Sequence, residues 1–278
     1  MNDKTRISIV VPMCNEEESL ALLTEKLHLL HERLSLEYDV EYCLVDDGST
    51  DRTRALMAAV IPAGARSLCL FHEQNKGLGA AIRTGLSGAS GAIVCTIDAD
   101  CSYPPENLRE LIELVVSGRA DIAVASPYHP RGGVVGVKPW RLILSRQCSL
   151  LYRLLSPLKL FTYTSIFRAY CSKAAREVKF ESNGFVSAVE ILLNANRKGF
   201  RIAERPMVLY ARQSGFSKIR IVTTIATHLV MIWKSGCTSL FVLFGRKEPL
   251  ASRGLGRRGA SVQIATAFAA AKEDNLIR

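Results

Sequence analysis

The sequence predicts an α/β fold in which helices pack on the faces of a mostly parallel sheet. Short β-rich runs alternate with helical patterns through the first half of the chain. Each run ends in a polar turn, and that edge of an open α/β sheet is where ligands bind. The 278 residues, 48% of them hydrophobic, carry enough apolar surface for a substantial core.

Strands are expected at Ile7 to Val11, Val40 to Val45, Ser67 to Phe71, Ala92 to Ile97 and Asp121 to Ala125. Between the first two, Leu20, Leu23, Leu27, Leu30 and Leu34 recur at spacings of three and four and so share one face of an amphipathic helix. Asp51 is placed to cap a short helix after the second strand. Pro104 and Pro105 open another, whose apolar positions are Leu108, Leu111, Ile112 and Val115. The rhythm loosens after Ser126. A helical pattern from Trp140 to Leu155, a strand from Ser165 to Cys171, a helix from Phe185 to Arg197 and a strand from Ile202 to Val208 complete the globular part.

From Ile219 to Phe244 apolar residues are interrupted by Arg220, His228, Lys234 and Gly236, so no stretch reaches the roughly 18 residues of a membrane span. The segment reads as one or two amphipathic helices lying on a membrane surface or on the enzyme, with a true span as the alternative. From Arg246 onward a basic tail of low periodicity is expected to be partly disordered. The formal charge of +10 implies anionic partners such as nucleotide diphosphates, lipid phosphates or an acidic membrane surface. Nucleic acid is not expected, because no aromatic-basic stripe or known motif accompanies the charge. The eight cysteines are scattered without C-x-x-C pairs and read as reduced, mostly buried thiols of a cytosolic protein. The polar start, Met1 to Arg6, lacks the apolar core of a secretory signal, so export is not expected.

The chemistry concentrates in the turns. Asp98-Ala99-Asp100 places two carboxylates one residue apart at the end of an apolar strand. Mg²⁺ or Mn²⁺ is a hard ion that takes carboxylate and phosphate oxygens, and in such a place it neutralises charge on a departing diphosphate. An isolated D-x-D is equally a turn cap beside a solvated aspartate. About fifty residues earlier, Asp46-Asp47-Gly48-Ser49-Thr50-Asp51 offers carboxylates for base or ribose hydrogen bonds, or a helix cap with solvated neighbours.

Together with Val10-Val11-Pro12-Met13-Cys14-Asn15-Glu16, Asn75-Lys76-Gly77-Leu78-Gly79 through Gly85, and Pro104-Pro105-Glu106, these turns resemble glycosyltransferase family 2 over roughly residues 6 to 234. The similarity is to its polyprenyl-phosphate mannose and glucose synthases, the dolichyl-phosphate mannose synthases included. It implies a GT-A fold over 1–210, a basic loop with interfacial helices over 211–245 and a basic tail over 246–278. It further implies a nucleotide-sugar donor, a divalent metal and transfer of a single sugar. By analogy Pro12, Asn15, Glu16, Asp46 and Asp47 line the nucleotide pocket, and Asp98 and Asp100 hold metal and diphosphate. Lys76 is a phosphate ligand or an exposed lysine; Gly77, Gly79 and Gly85 are turn and packing positions. Arg212-Gln213-Ser214-Gly215-Phe216-Ser217-Lys218 resembles the R-x-x-G-x-S-K loop, so Arg212, Ser217 and Lys218 are expected at the phosphates.

Two positions depart from the pattern: Ser102 stands where glutamine is usual and Pro127 where arginine is usual. Arg131 or Arg141 is expected to restore the missing cation. An alcohol acceptor needs a general base, for which Glu181 and Glu190 are candidates, whereas a phosphate acceptor needs none. The absence of a Gln-x-x-Arg-Trp sequence favours single transfer over processive synthesis. A lipid-phosphate acceptor at the cytoplasmic face of a membrane is therefore expected. A hydroxyl acceptor, or a decayed sugar-nucleotide binder, is the alternative. A nucleotidyltransferase is disfavoured because the first turn is acidic where a triphosphate needs cations.

Overall fold

The computed structural model describes residues 4–212 together with Thr227, His228, Val230 and Met231. The elements run β1 (Arg6–Met13), α1 (Leu20–Leu34), β2 (Asp39–Asp47), α2 (Thr53–Leu56), β3 (Arg66–His72), α3 (Leu78–Gly88), β4 (Ile93–Thr96) and α4 (Leu108–Val116). They continue with β5 (Ile122–Ser126), β6 (Gly133–Val135), α5 (Pro139–Leu155), β7 (Arg168–Cys171), α6 (Ser172–Glu177), α7 (Ser187–Arg197), β8 (Ile202–Pro206) and β9 (Val208–Tyr210). Seven strands form one sheet in the order β3-β2-β1-β4-β7-β5-β8. Its pairs are parallel except the two made by β7.

Both faces of the sheet are covered, which explains why β1 is apolar at consecutive positions rather than at alternate ones. Ile7, Ile9 and Val11 meet the leucine stripe of α1 and the apolar face of α4. Val10 turns the other way, into a second core built with α3, α7 and Tyr152. Gly85 lies where α3 crosses β1, and a Cβ there would collide with the Val10 side chain. Gly77, at φ 101°, makes the turn that leads into α3.

Three details differ from the sequence expectation. The segment after Gly77, for which no element was expected, is a helix, α3, in which Gly79 and Gly85 are the packing positions. The expected strand from Ile202 to Val208 is two strands that part at Met207. β8 pairs with β5, whereas β9 leaves the main sheet to pair with β6. The seven described cysteines are free, but only Cys43 and Cys95 are buried; the other five are partly exposed. Among the described residues no helix is long and apolar enough to cross a membrane. Apart from Thr227, His228, Val230 and Met231, the segment 219–244 lies outside the described residues, as do the whole tail, Ser217 and Lys218.

Candidate active site

The parallel strands β1, β2 and β4 end at the same edge, so three polar turns meet there. The turn after β1 is fastened to the turn after β2. Asn15 adopts φ 49°, a conformation that asparagine tolerates better than most residues. Its side-chain oxygen accepts the Thr50 amide at 2.6 Å, and its own amide donates to Ser49 Oγ at 2.8 Å. The Glu16 amide donates to Thr53 Oγ1 at 2.7 Å. Asn15 and Glu16 therefore set the shape of this edge through the backbone, whatever else their side chains meet.

Asp46 and Asp47 are both buried and committed to internal partners. Asp46 accepts from Arg54 Nε at 2.8 Å and from the Ser49 amide at 3.2 Å. Asp47 accepts the Lys76 amide at 2.9 Å, the Gly77 amide at 2.8 Å and His72 Nδ1 at 2.6 Å. Asp47 thus holds the turn before α3, while the Lys76 side chain is exposed. Replacing Asp47 by alanine leaves the buried His72 ring and two partly buried amides without their acceptor. The unfolding free energy is expected to fall by ~3 kcal/mol in urea titration; an unchanged midpoint would show that the turn holds without it.

Asp98 follows β4 and lines a cavity of about 400 Å³ whose other walls include Ser102, Pro127, Arg141 and the apolar Tyr103, Ile166 and Leu209. Asp100 accepts the Ser102 amide at 3.0 Å. Its second oxygen lies 3.7 Å from Arg212 Nε, and Arg212 is also ion-paired to Glu16. One arginine thus joins the turn after β1 to the turn after β4. Of the two cations expected to replace the missing arginine, Arg141 reaches the cavity wall and stacks over Trp140 at 5.2 Å. Arg131 is exposed and is not part of that wall.

Burial pushes the Asp98 carboxyl up to about 8, with the charge of Asp100 adding to the effect and that of Arg168 opposing it. Two carboxylates that repel each other, with Asp98 on the wall of a cavity, fit a hard divalent cation, since the cation relieves both the repulsion and the lost hydration. No cluster of three His, Cys, Asp or Glu side chains occurs among the described residues, so further ligands would come from the diphosphate and from hydroxyl or water oxygens. The sign of the pH effect follows. The unfolded chain ionises Asp98 near pH 4 while the folded metal-free chain keeps the proton to about pH 8, so this group removes stability as the pH rises across that window. Mn²⁺ is expected to raise the thermal midpoint at pH 8 in the wild-type chain and to leave it unchanged in Asp98→Asn, whose midpoint also falls less between pH 4 and pH 8. Equal Mn²⁺ shifts in both proteins would remove Asp98 from the metal site.

Arg168 was not among the residues expected here. It lies on β7, fully buried, and its Nη2 donates to Tyr163 O at 3.1 Å and Ala188 O at 2.8 Å. Its Nε and Nη1 have no hydrogen-bond partner among the described residues. The signal that would have found it is an arginine inside the β-rich run from Ser165 to Cys171. Glu190, a candidate base, accepts the Glu181 and Ser182 amides at 3.0 and 2.9 Å. It therefore pins the loop before α7, and the Glu181 side chain is exposed. Among the described residues that line the cavity, Asp98 is the single acidic one.

Comparisons with known proteins give the family and the fold. The family model for glycosyl transferase family 2 matches residues 8–179. The chain is 31% identical over 222 residues to polyprenol monophosphomannose synthase of Mycolicibacterium smegmatis, covering 77% of this chain and 81% of that one. It is 37% identical over 110 residues to undecaprenyl-phosphate 4-deoxy-4-formamido-L-arabinose transferase of Sodalis glossinidius, a match covering 39% of this chain and 33% of that protein. The fold is similar to that of glucosyl-3-phosphoglycerate synthase of Mycobacterium tuberculosis, crystallised with Mn²⁺, UDP-glucose and phosphoglyceric acid. There the TM-score is 0.62 at 21% identity, over 84% of this chain and 80% of the other.

Proposed function

Since the chain belongs to glycosyltransferase family 2 and is thus a glycosyltransferase, we propose that it moves one sugar from a nucleotide sugar to a polyprenyl phosphate at the cytoplasmic face of a membrane. The observation that carries the acceptor class is the cavity. It joins the Asp98 carboxylate to a largely apolar wall and, among its described residues, offers no second carboxylate to act as a base. A phosphate acceptor is already anionic and needs none, whereas a hydroxyl must lose its proton to a group within reach. The two family-2 relatives named above act, by their names, on polyprenol and undecaprenyl phosphate, and this supports the same reading.

In this reading Asp98 and Asp100 hold a divalent metal, which when bound neutralises the diphosphate as it leaves. Asn15 and Glu16 shape the nucleotide edge with the turn that Asp46 and Asp47 organise. Arg212 and Arg141 are cations at the phosphate-binding side, and Ser217 and Lys218 extend that group. The acceptor phosphate oxygen attacks the anomeric carbon in line with the diphosphate, so the bond to the nucleotide breaks as the new one forms and the configuration inverts. GDP-mannose and UDP-sugars are both candidate donors.

The test supplies radiolabelled GDP-mannose, UDP-glucose and UDP-N-acetylglucosamine with polyprenyl phosphate in detergent and Mn²⁺, and follows label into the organic phase. One donor is expected to give lipid-linked sugar, and chelation is expected to stop it. Label that stays in the aqueous phase with all three, while donor is consumed with a soluble acceptor, would overturn the lipid-phosphate reading.

A further inference from the structure

Glu204 lies on β8, the strand at one edge of the main sheet, two residues from Ile202 and so on the face that packs against the second core. A carboxylate on such a face calls for partners. Three donors meet it, and none comes from its own strand. Oε1 accepts Ser126 Oγ at 2.6 Å and the Thr162 amide at 2.8 Å, and Oε2 accepts the Phe161 amide at 2.8 Å. Ser126 is the last residue of β5, whereas Phe161 and Thr162 belong to the irregular segment between α5 and β7. One side chain on β8 thus fastens two stretches of chain that are far apart in sequence.

The direction of each hydroxyl bond follows from the chemistry. A carboxylate accepts, so Ser126 directs its single hydroxyl proton to Glu204. The Ser126 oxygen, 2.9 Å from Thr162 Oγ1, therefore accepts the Thr162 proton, and Thr162 Oγ1 in turn accepts the Tyr128 amide at 3.4 Å. Ser126 and Thr162 are both buried, so neither hydroxyl has water as a substitute partner. The network ends on the cavity that reaches Asp98: Pro127, Tyr128 and Thr162 line it, while Glu204 and Ser126 stand behind them. Residues 127–130 and 161–164 are neither helix nor strand, so no ladder of backbone bonds holds this part of the wall. We propose that Glu204 is a positioning residue for the acceptor: through Ser126 and Thr162 it clamps the two wall segments together and so fixes the width of the cavity. That the cavity takes an acceptor rests on the lipid-phosphate reading above; the clamp itself does not.

Two measurements on the full chain test this. The first is hydrogen exchange in the absence of lipid. In Glu204→Gln, where one acceptor oxygen becomes a donor, amides of residues 158–166 are expected to exchange at least about tenfold faster than in wild type, with those of α4 unchanged. Unchanged exchange at 158–166 overturns the clamp, and so does an equal rise in α4, which would mean general loosening. The second is transfer kinetics in detergent with Mn²⁺. None of the network's bonds involves Asp98 or Asp100, so its loss removes binding shared by ground and transition states. The KM for polyprenyl phosphate is expected to rise about tenfold in Glu204→Gln and about threefold in Ser126→Ala, which keeps both amide bonds to the carboxylate. In both variants kcat and the donor KM are expected to stay within about twofold of wild type. A merely structural glutamate would lower kcat through the folded fraction and leave both KM values alone; that pattern, or a donor KM that rises with the acceptor KM, overturns the positioning role. Absence of lipid-linked sugar with wild type itself, while exchange responds as expected, counts against the lipid-phosphate reading alone.

Discussion

Asp100→Ala is expected to reduce sugar transfer at saturating Mn²⁺ by roughly a hundredfold to a thousandfold while changing the unfolding free energy by less than ~1 kcal/mol. The two halves of this expectation have separate grounds. Asp100 stands in a turn beyond the end of β4, its side chain 23% exposed, and its partners are one amide, Ser102 N, and the 3.7 Å approach of Arg212 Nε. Arg212 keeps its pairing to Glu16 when Asp100 is lost, so no buried charge is stranded. The fold therefore loses little. The reaction loses the second carboxylate of the pair, and a single carboxylate binds a hard cation far more weakly than two held one residue apart. Single-turnover transfer together with Mn²⁺ titration by calorimetry separates the two effects. A variant with wild-type turnover would remove the metal-binding role on which the proposed function depends.

The parts of this architecture that were legible in the sequence are those that leave a period. The five leading strands are legible as short apolar runs and the α1 stripe as spacings of three and four, and the turns between them are punctuated by Asn15, Gly48 and Gly77. Asp98 and Asp100 were legible because a carboxylate pair at a strand end has few structural uses once it keeps company with the turn after β2. α3 was not, because Gly79 and Gly85 lower helix propensity and become favourable only through close packing on the second core and against Ser182, which no local pattern reports. The division of residues 202–210 between two sheets is likewise a tertiary event. For α5 the period gave the helix but not the direction in which its apolar stripe faces. For the aspartates after β2, the edge was legible but their burial was not. The partners of Asp47 come from the end of β3 and from the turn before α3, more than twenty residues away, while Asp46 is held by Arg54 of α2 and by its own turn.

Arg168 is the hardest of these to foresee, and substituting it tests a buried charge rather than a surface one. Arg168→Met keeps most of the volume and removes the cation. Tyr163 O and Ala188 O then lose their donor, which is expected to lower the unfolding free energy by ~2–3 kcal/mol, partly offset because an incompletely satisfied guanidinium no longer has to be desolvated. The functional effect is distinct from that loss. The charge of Arg168 opposes the upward push on Asp98, so without it the carboxyl keeps its proton to higher pH and metal-dependent transfer needs more alkaline solution. Transfer at neutral pH is expected to fall by about tenfold and to recover in part as the pH rises, with Arg168→Lys closer to wild type. A merely structural arginine would lower activity equally at every pH. A pH profile of Arg168→Met that parallels the wild type would therefore sever β7 from the chemistry of Asp98.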